Sequence, residues 1–542
     1  MKKLLVIALC LMLALPAFAM ADATPITWSG TISVAPYLFG PWDEAKDIVV
    51  HPTEQLMKER YGLDVTFDVV FVENANYREI INTRIAGGTA PDVFIGGDAV
   101  VLSQYYDQGA IASWEVDFFK ENAPATYEFL NNGGYQGRLK DYVDMFWKLA
   151  CADDGKMTTV PYFDEQSAMP SKTLMYREDW LDALGVAHDS PDVLPKTLDD
   201  FVALLYRFAN EDPDGNGVKD TYGCSESVVR AIFGAYGSSY NSRLWLEDGE
   251  GGLIASDVKE SNKDALALLK KLYDDGVLDP EFVTGENNGG YWAVNHAFIN
   301  GVIGASCHAS IDHYRRPDVM GDNGGPVAIE WYAINGADSD FVYAPWPAGP
   351  DGEYGLEVGY PVSLGTGYAY DARLNDDPDK LAAIFKIMDI FGTDDEIMLL
   401  NCWGIEGEDY AVNEDGSLTN FLNTTDRNEK GIRVLRGLFG PEKVNSERGM
   451  FLDFYGDKTI KNRLDFFEND QCGMYRKNVV RGLLPSASEY NSELDTLRNE
   501  TFVAIITGTQ PLESYEDYVQ EWMDRGGDIL TEEANEWYAE NK

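Results

Sequence analysis

The chain is poor in the residues that usually carry catalysis. Histidine occurs 5 times in 542 residues, at His51, His188, His296, His308 and His313. His308 and His313 share one region, but their spacing fits no common metal motif. For His308 a packed polar role competes with a ligand-contacting one. The sequence contains no H-E-x-x-H, no G-x-S-x-G and no G-x-x-x-x-G-K-[ST]. Zinc-protease, serine-hydrolase and P-loop chemistry therefore have no motif to stand on. Basic residues are scarce too: 43 Lys and Arg face 91 Asp and Glu, a net charge of −48. Such a surface repels nucleic acid and anionic membranes, so neither is an expected partner. It also disfavours a polyanionic ligand, unless a local basic pocket overrules the average. Beyond the first residues no apolar run approaches the length of a spanning helix, so no membrane insertion is expected and the mature protein is expected to be a soluble monomer.

Cysteine is equally sparse. Cys10 falls in an apolar leader, which leaves Cys151, Cys224, Cys307, Cys402 and Cys472. The number is odd, the spacings are wide and there is no C-x-x-C. At most two bridges are possible, and buried free thiols are the expected state. The leader itself reads as a secretory signal over residues 1–21. Lys2 and Lys3 precede an apolar stretch over 4–15, and the small residues Ala17, Ala19 and Ala21 follow Pro16. Cys10 lacks the small residue expected before a lipid-modified cysteine. The expectation is an exported protein, periplasmic or extracellular, without a lipid anchor.

What is present points to a packed globular protein. Hydrophobic residues make up 45% and aromatics 12% of the chain, and 542 residues exceed one ordinary core, so two domains or more are expected. Residues 31–38 and 63–72 read as strands, 74–86 as a helix stopped by Gly87-Gly88, and 93–97 as a buried strand. Strand, helix and strand at this spacing make an α/β unit with a parallel sheet. Further helices are predicted over 179–184, 198–209, 263–273 and 378–391. Thr197 is the predicted cap of the second of these, with Asp200 three residues on. Glycine-, Asn- and Asp-rich patches at 131–134, 285–290 and 321–325 read as loops.

The most specific stretch is residues 212–223, D-P-D-G-N-G-V-K-D-T-Y-G. Oxygen-bearing groups fall at Asp212, Asp214, Asn216 and Asp220, with the carbonyl of Val218 between them and Gly217 at the turn. These are positions 1, 3, 5, 9, 7 and 6 of a calcium loop of the EF-hand type. Position 12, where a bidentate Glu belongs, is Gly223. The loop is thus incomplete, and structural Ca²⁺ competes with an ion-free polar turn.

Residues 195–223, with L-M-Y-R-E-D-W-L-D-A-L-G just before them, resemble blocks of the extracellular solute-binding proteins of carbohydrate ABC importers. So do N-Y-R-E-I-I-N-T-R-I-A-G-G-T-A-P-D-V-F-I-G-G, K-L-Y-D-D-G-V-L-D-P-E-F, W-G-I-E-G-E-D-Y, and I-I-T-G with the acidic tail. The blocks keep the family's order along the whole mature chain. The resemblance implies an α/β protein of two lobes joined by a hinge, each lobe a mostly parallel sheet flanked by helices. Residues 22–162 plus 309–392 would form the first lobe and 163–308 plus 393–542 the second. Residues 298–307 would be the strand leading back to the first lobe. The resemblance implies an oligosaccharide ligand and a membrane permease as partners. Sugars stack on aromatic rings and are oriented by polar side chains. Candidate contacts beside strand ends are Tyr37, Trp42, Asp98, Tyr236, Asn241, Trp245, His308, Trp346 and Trp403. An exported glycosidase or lyase is the alternative. With 91 acidic residues, carboxylate pairs carry no information about it.

Overall fold

The structure, a computed structural model, describes residues 28–36, 42–72, 76–97, 99–133, 140, 143–152, 154–160, 162–163, 172–240, 243–283, 293–308, 314, 325–336, 338–357, 362–363, 367–412, 418–422, 424–432, 434–439, 475–476, 478–480 and 484–541. The first lobe opens with β1 (Ser29–Ala35), β2 (Asp64–Val69) and β3 (Val93–Gly97), and β4 (Tyr162–Phe163) leaves it. The second lobe takes β5 (Leu174–Arg177), a hairpin of β6 (Trp245–Glu247) and β7 (Leu253–Ala255), then β8 (Ala305–Ser306), β9 (Phe341–Ala344) and β10 (Leu356–Glu357). The chain returns through β11 (Val362–Ser363) to β12 (Gly367–Tyr370) in the first lobe. A hairpin of β13 (Tyr410–Val412) and β14 (Leu418–Asn420) follows, and β15 (Tyr475–Arg476) pairs with β10.

The first sheet has the order β12-β3-β1-β2. β1 runs parallel to both β2 and β3, as the strand–helix–strand spacing predicts, and β12 is antiparallel to β3. The second sheet has the order β8-β5-β9, antiparallel throughout. β4 and β11 lie side by side, pairing Phe163 with Val362 and Tyr162 with Ser363, so two of the passages between lobes are hydrogen-bonded to each other.

Helices form where the apolar period and the caps agree. Leu198–Asn210 buries Leu198, Phe201, Leu204, Leu205 and Phe208 along one stripe. Its predicted cap is in place: Thr197 Oγ1 accepts from the Asp200 amide at 3.2 Å. Asn262–Asp274, Pro378–Thr393 and the C-terminal helices from Ala487 to Asn541 follow the same rule. Among the described residues Cys151, Cys224, Cys307 and Cys402 form no disulfide with one another, and all but Cys151 are buried. Cys472 lies outside the described residues.

Three sequence expectations are corrected. Residues 325–357, assigned to the first lobe, belong to the second. β9 pairs with β5, and Val327, Ala328 and Trp331 pack with Met175 and Phe298. Residues 394–439, assigned to the second lobe, belong to the first. Arg60 bonds Asp394 at 3.0 Å, Asn401 bonds Thr53 at 2.8 Å, and Ile397, Leu438 and Phe439 join the first-lobe core. Residues 298–307 are mostly not strand. Phe298 and Ile299 end a helix, and β8 stays beside β5 in the second lobe. Strands of two to four residues carry too little alternation to declare themselves in sequence.

Candidate functional site

The carboxyl ends of β1, β2 and β3 form one edge of the first lobe, where ligands of open α/β sheets bind. β3 ends at Gly97, whose φ of 108° suits glycine alone. A Cβ there would sit 2.5 Å from an Arg78 guanidinium nitrogen. The exposed Arg78 side chain therefore lies directly over the strand end, carried by the first turn of the Tyr77–Ala86 helix. β12 begins beside it at Gly367, and Thr159 Oγ1 donates to the Tyr368 carbonyl at 2.7 Å as the chain heads for the crossing strands.

At one end of the second-lobe sheet the chain arrives from β4. Lys172 and Thr173 lead into β5. β5 pairs Met175 with Ser306 and Leu174 with Ala344, and His308 and Trp346 each follow two residues after those paired partners. The Glu226–Ala235 helix packs behind this end. Ser227 Oγ accepts from the Cys307 amide at 3.3 Å, and the Cys307 thiol donates to the Ser227 carbonyl at 2.9 Å. Glu226 and Arg230, one turn apart on that helix, act electrostatically on Lys172 and on Cys307. Burial first, then Arg230, lowers the Lys172 ammonium to about 8, while Cys307 and Glu226 pull the other way. Burial also pushes the Cys307 thiol up to about 12, against Arg230 and Lys172.

The predicted contacts divide. Tyr37, Asp98 and Asn241 lie outside the described residues. His308 is partly exposed on the second-lobe edge. Trp42 is half-buried in the first lobe, its Nε1 donating to Asp47 Oδ1 at 3.0 Å and its ring edge-on to His51. Trp403 lies in the same lobe, under Arg427, with Tyr410 beside it. The segment 427–431 touches both, because Gly431 abuts the Trp42 indole. Three rings are enclosed instead of presented: Trp346 is 0% exposed, Trp245 4% and Trp403 5%. Trp346 is therefore a correction, since a ring with no surface offers no face to a sugar. Tyr236 ends the Glu226–Ala235 helix, at the far end from Glu226, and is partly buried against the second-lobe core. Sequence reasoning missed Lys172, Arg230 and Arg78.

The calcium-type loop is exposed and lies outside both edges. Asp212 has φ 50°, and Gly215 and Gly217 have φ 69° and 77°, so the chain curls inward on itself. Asp212 accepts from the Gly217 amide at 3.1 Å, and Asn216 Oδ1 accepts from Val218 N at 2.6 Å. The Asn216 amide bridges Asp214 at 2.7 Å and Asp220 at 3.2 Å. Loss of water in the turn first, then the carboxylates of Asp212 and Asp220, raises the Asp214 carboxyl above its ordinary range. Three like charges thus converge on one turn, with an amide NH₂ between two of them where a cation would sit. Among the described residues no group of three His, Cys, Asp or Glu side chains forms a ready metal centre. Position 12 is closed by packing: a Cβ on Gly223 would meet the Leu205 carbonyl at 2.7 Å and Val277 at 2.9 Å. No helix of the described residues is long and apolar enough to cross a membrane.

Comparison with known proteins agrees with the fold. Residues 44–373 match the bacterial extracellular solute-binding protein family. The polygalacturonan/rhamnogalacturonan-binding protein YtcQ of Bacillus subtilis is 22% identical over 497 residues, covering 91% of this chain and 89% of the relative. Lipoprotein LipO of the same organism is 24% identical over 519 residues, with the same coverage. Among solved structures, the Streptococcus pneumoniae ABC-transporter substrate-binding protein FusA in complex with kestose superposes with a TM-score of 0.65 at 18% identity, covering 94% of this chain and 99% of that one. An EF-hand mutant of FusA in complex with fructo-nystose gives 0.64. These structures establish a two-lobed periplasmic-binding-protein-like fold.

Proposed function

Because the chain belongs to the bacterial extracellular solute-binding protein family, we propose that it is the substrate-binding component of an ABC importer that takes an oligosaccharide into the cleft between its lobes. The observation that carries this reading is the pairing of β4 with β11 between two separate sheets. Adjacent crossings let two lobes rotate about one line and close on a ligand. Relatives named for binding fructooligosaccharide and polygalacturonan or rhamnogalacturonan support a carbohydrate over a peptide. The protein acts outside the cytoplasm, as a monomer, and hands its cargo to a membrane permease. His308 and Trp42, both partly exposed, are its described candidates for sugar contact. Calcium at the 212–220 loop is structural in this reading: Asp212, Asp214, Asn216, Asp220 and the Val218 carbonyl supply oxygen ligands, and the ion would relieve the crowding around Asp214. The EF-hand mutant made of FusA supports a loop of this kind in the family.

A thermal-shift screen against neutral and acidic oligosaccharides tests the function, because a ligand that binds only the folded state raises its stability. A rise in melting temperature with intact sugar recovered afterwards supports a binding protein. Shortened products would favour the glycosidase or lyase alternative.

A further inference from the structure

Along β2, Val65 and Phe67 are buried in the first-lobe core and Val69 packs against it. Val70 and Val72 face the other way, into the cluster that holds Tyr77 and Ile81. The Val70 amide donates to the Val34 carbonyl at 2.8 Å, so the chain stays extended beside β1 past the end of β2. Side chains alternate along such a chain, which puts Phe71 in the row of Val65, Phe67 and Val69. It is the first of that row beyond the sheet, and it is 43% exposed. Among the described residues Phe421 is the other exposed phenylalanine, and it follows β14, which is not a strand of this sheet.

Arg78 is fixed on the same edge. The Tyr77 hydroxyl donates to the Ala35 carbonyl at 2.5 Å and accepts from the Ile95 amide at 3.0 Å. The start of the helix is thereby tied to β1 and β3, and Arg78, the next residue, lies over Gly97. β1 separates β3 from β2 in the sheet. Two strand spacings put the end of β3 and Phe71 roughly 10 Å apart, farther than one sugar ring reaches.

We propose that Phe71 and Arg78 are separate contact points for different rings of one oligosaccharide. Phe71 offers its face to the C–H face of one ring, and the Arg78 N–H groups donate to the oxygens of another. The proposal rests on the transport reading and adds to it two binding residues and a minimum ligand length. Phenylalanine has no donor or acceptor, so its contribution is stacking and burial of apolar surface. Arg78 supplies direction, because its guanidinium presents five N–H groups in a fixed plane. A single ring reaches one point. A longer chain reaches both, so affinity climbs with length until both are filled and then levels.

Calorimetry on the full chain tests this with ladders of one to five rings: fructooligosaccharides, oligogalacturonides, and xylan and β-glucan oligomers. Phe71→Ala should weaken the longer chains of the ladder that binds about tenfold. Its melting temperature should stay within about two degrees of wild type, because the ring lies outside the core. Phe71→Leu, apolar without a ring, should lose most of the same affinity, and Phe71→Trp should restore it. Arg78→Gln should weaken the same chains about tenfold. On longer chains the two losses should multiply in the double variant, as for sites that do not touch. On a single ring at most one substitution should matter. Unchanged affinity at every length in Phe71→Ala overturns the proposal, as does an equal loss from both substitutions on a single ring. Full affinity in Phe71→Leu overturns the stacking role. A drop of many degrees in melting with normal affinity would make Phe71 a packing residue and overturns the proposal too. Tight binding untouched by either substitution leaves the transport reading standing, whereas no binding by any ladder overturns both.

Discussion

Two regions of the second lobe bury charge in opposite ways. In one, Asp257 is wholly enclosed, and Arg243 and Arg498 grip it at 2.9 and 3.3 Å. The same two guanidiniums hold Asp495 at 2.8 and 3.1 Å. Burial pushes the Asp257 carboxyl up, but Arg498 and Arg243 outweigh it and hold it below the ordinary range. Two positive and two negative groups close on themselves, and the knot ties the 243–257 region to the Ala487–Ile506 helix. At the start of β5, burial first and then Arg230 lower the Lys172 ammonium to about 8, against the pull of Cys307 and Glu226. A closed knot fastens elements together.

The largest effect should come from breaking the knot. Asp257→Asn leaves two buried guanidiniums short of a carboxylate and should cost about 3–5 kcal/mol of stability, read by denaturant melts. Its pH signature follows from the direction of the shift. A carboxyl held below its unfolded range stabilises above that range, and the gain disappears as pH falls through it into acid. The variant should lose that part of the acid slope. Lys172→Met is the mirror case, with no loss of stability. A lysine lowered to about 8 binds fewer protons folded than unfolded between that pH and its ordinary 10.5. Wild-type stability should therefore rise with pH across this window, and the variant should not follow. Equal destabilisation by both substitutions would erase the contrast between the two regions.

Aromatic replacements sharpen the comparison from the packing side. Trp346→Ala empties a fully enclosed site and should cost about 3–5 kcal/mol. Trp42→Ala, half-buried, should cost less in melting and more in ligand affinity, about tenfold if a sugar ring stacks there. Calorimetry and melting of both variants separate the two roles.

Smaller effects concern the loop and the thiols. A chelator should lower the melting temperature by a few degrees, roughly what 1–2 kcal/mol gives in a protein of this size. Asp214→Ala should abolish that sensitivity. An unchanged melt with chelator would remove calcium from the account. Reductant should change nothing in a melting curve, since no disulfide joins the described cysteines.

The elements legible in sequence were those with long periodic signals. The Leu198–Asn210 helix, its Thr197 cap and the parallel start of the first sheet follow from spacing alone. Lobe membership was less legible. β8, β9 and β11 are too short to show a period, and their partners are set by tertiary pairing. The site was the least legible. Trp346 follows the end of β9 by two residues, but its ring is turned into the core. Lys172 is unremarkable in sequence, because what lowers its ammonium is burial and Arg230 on a helix later in the chain.

The account rests on capture without conversion. Equilibrium dialysis of the protein against a mixed oligosaccharide pool, followed by chromatography of both compartments, measures this directly. The account predicts enrichment of one class on the protein side with the overall chain-length distribution unchanged. Accumulation of shorter chains, or no enrichment of any, would contradict it.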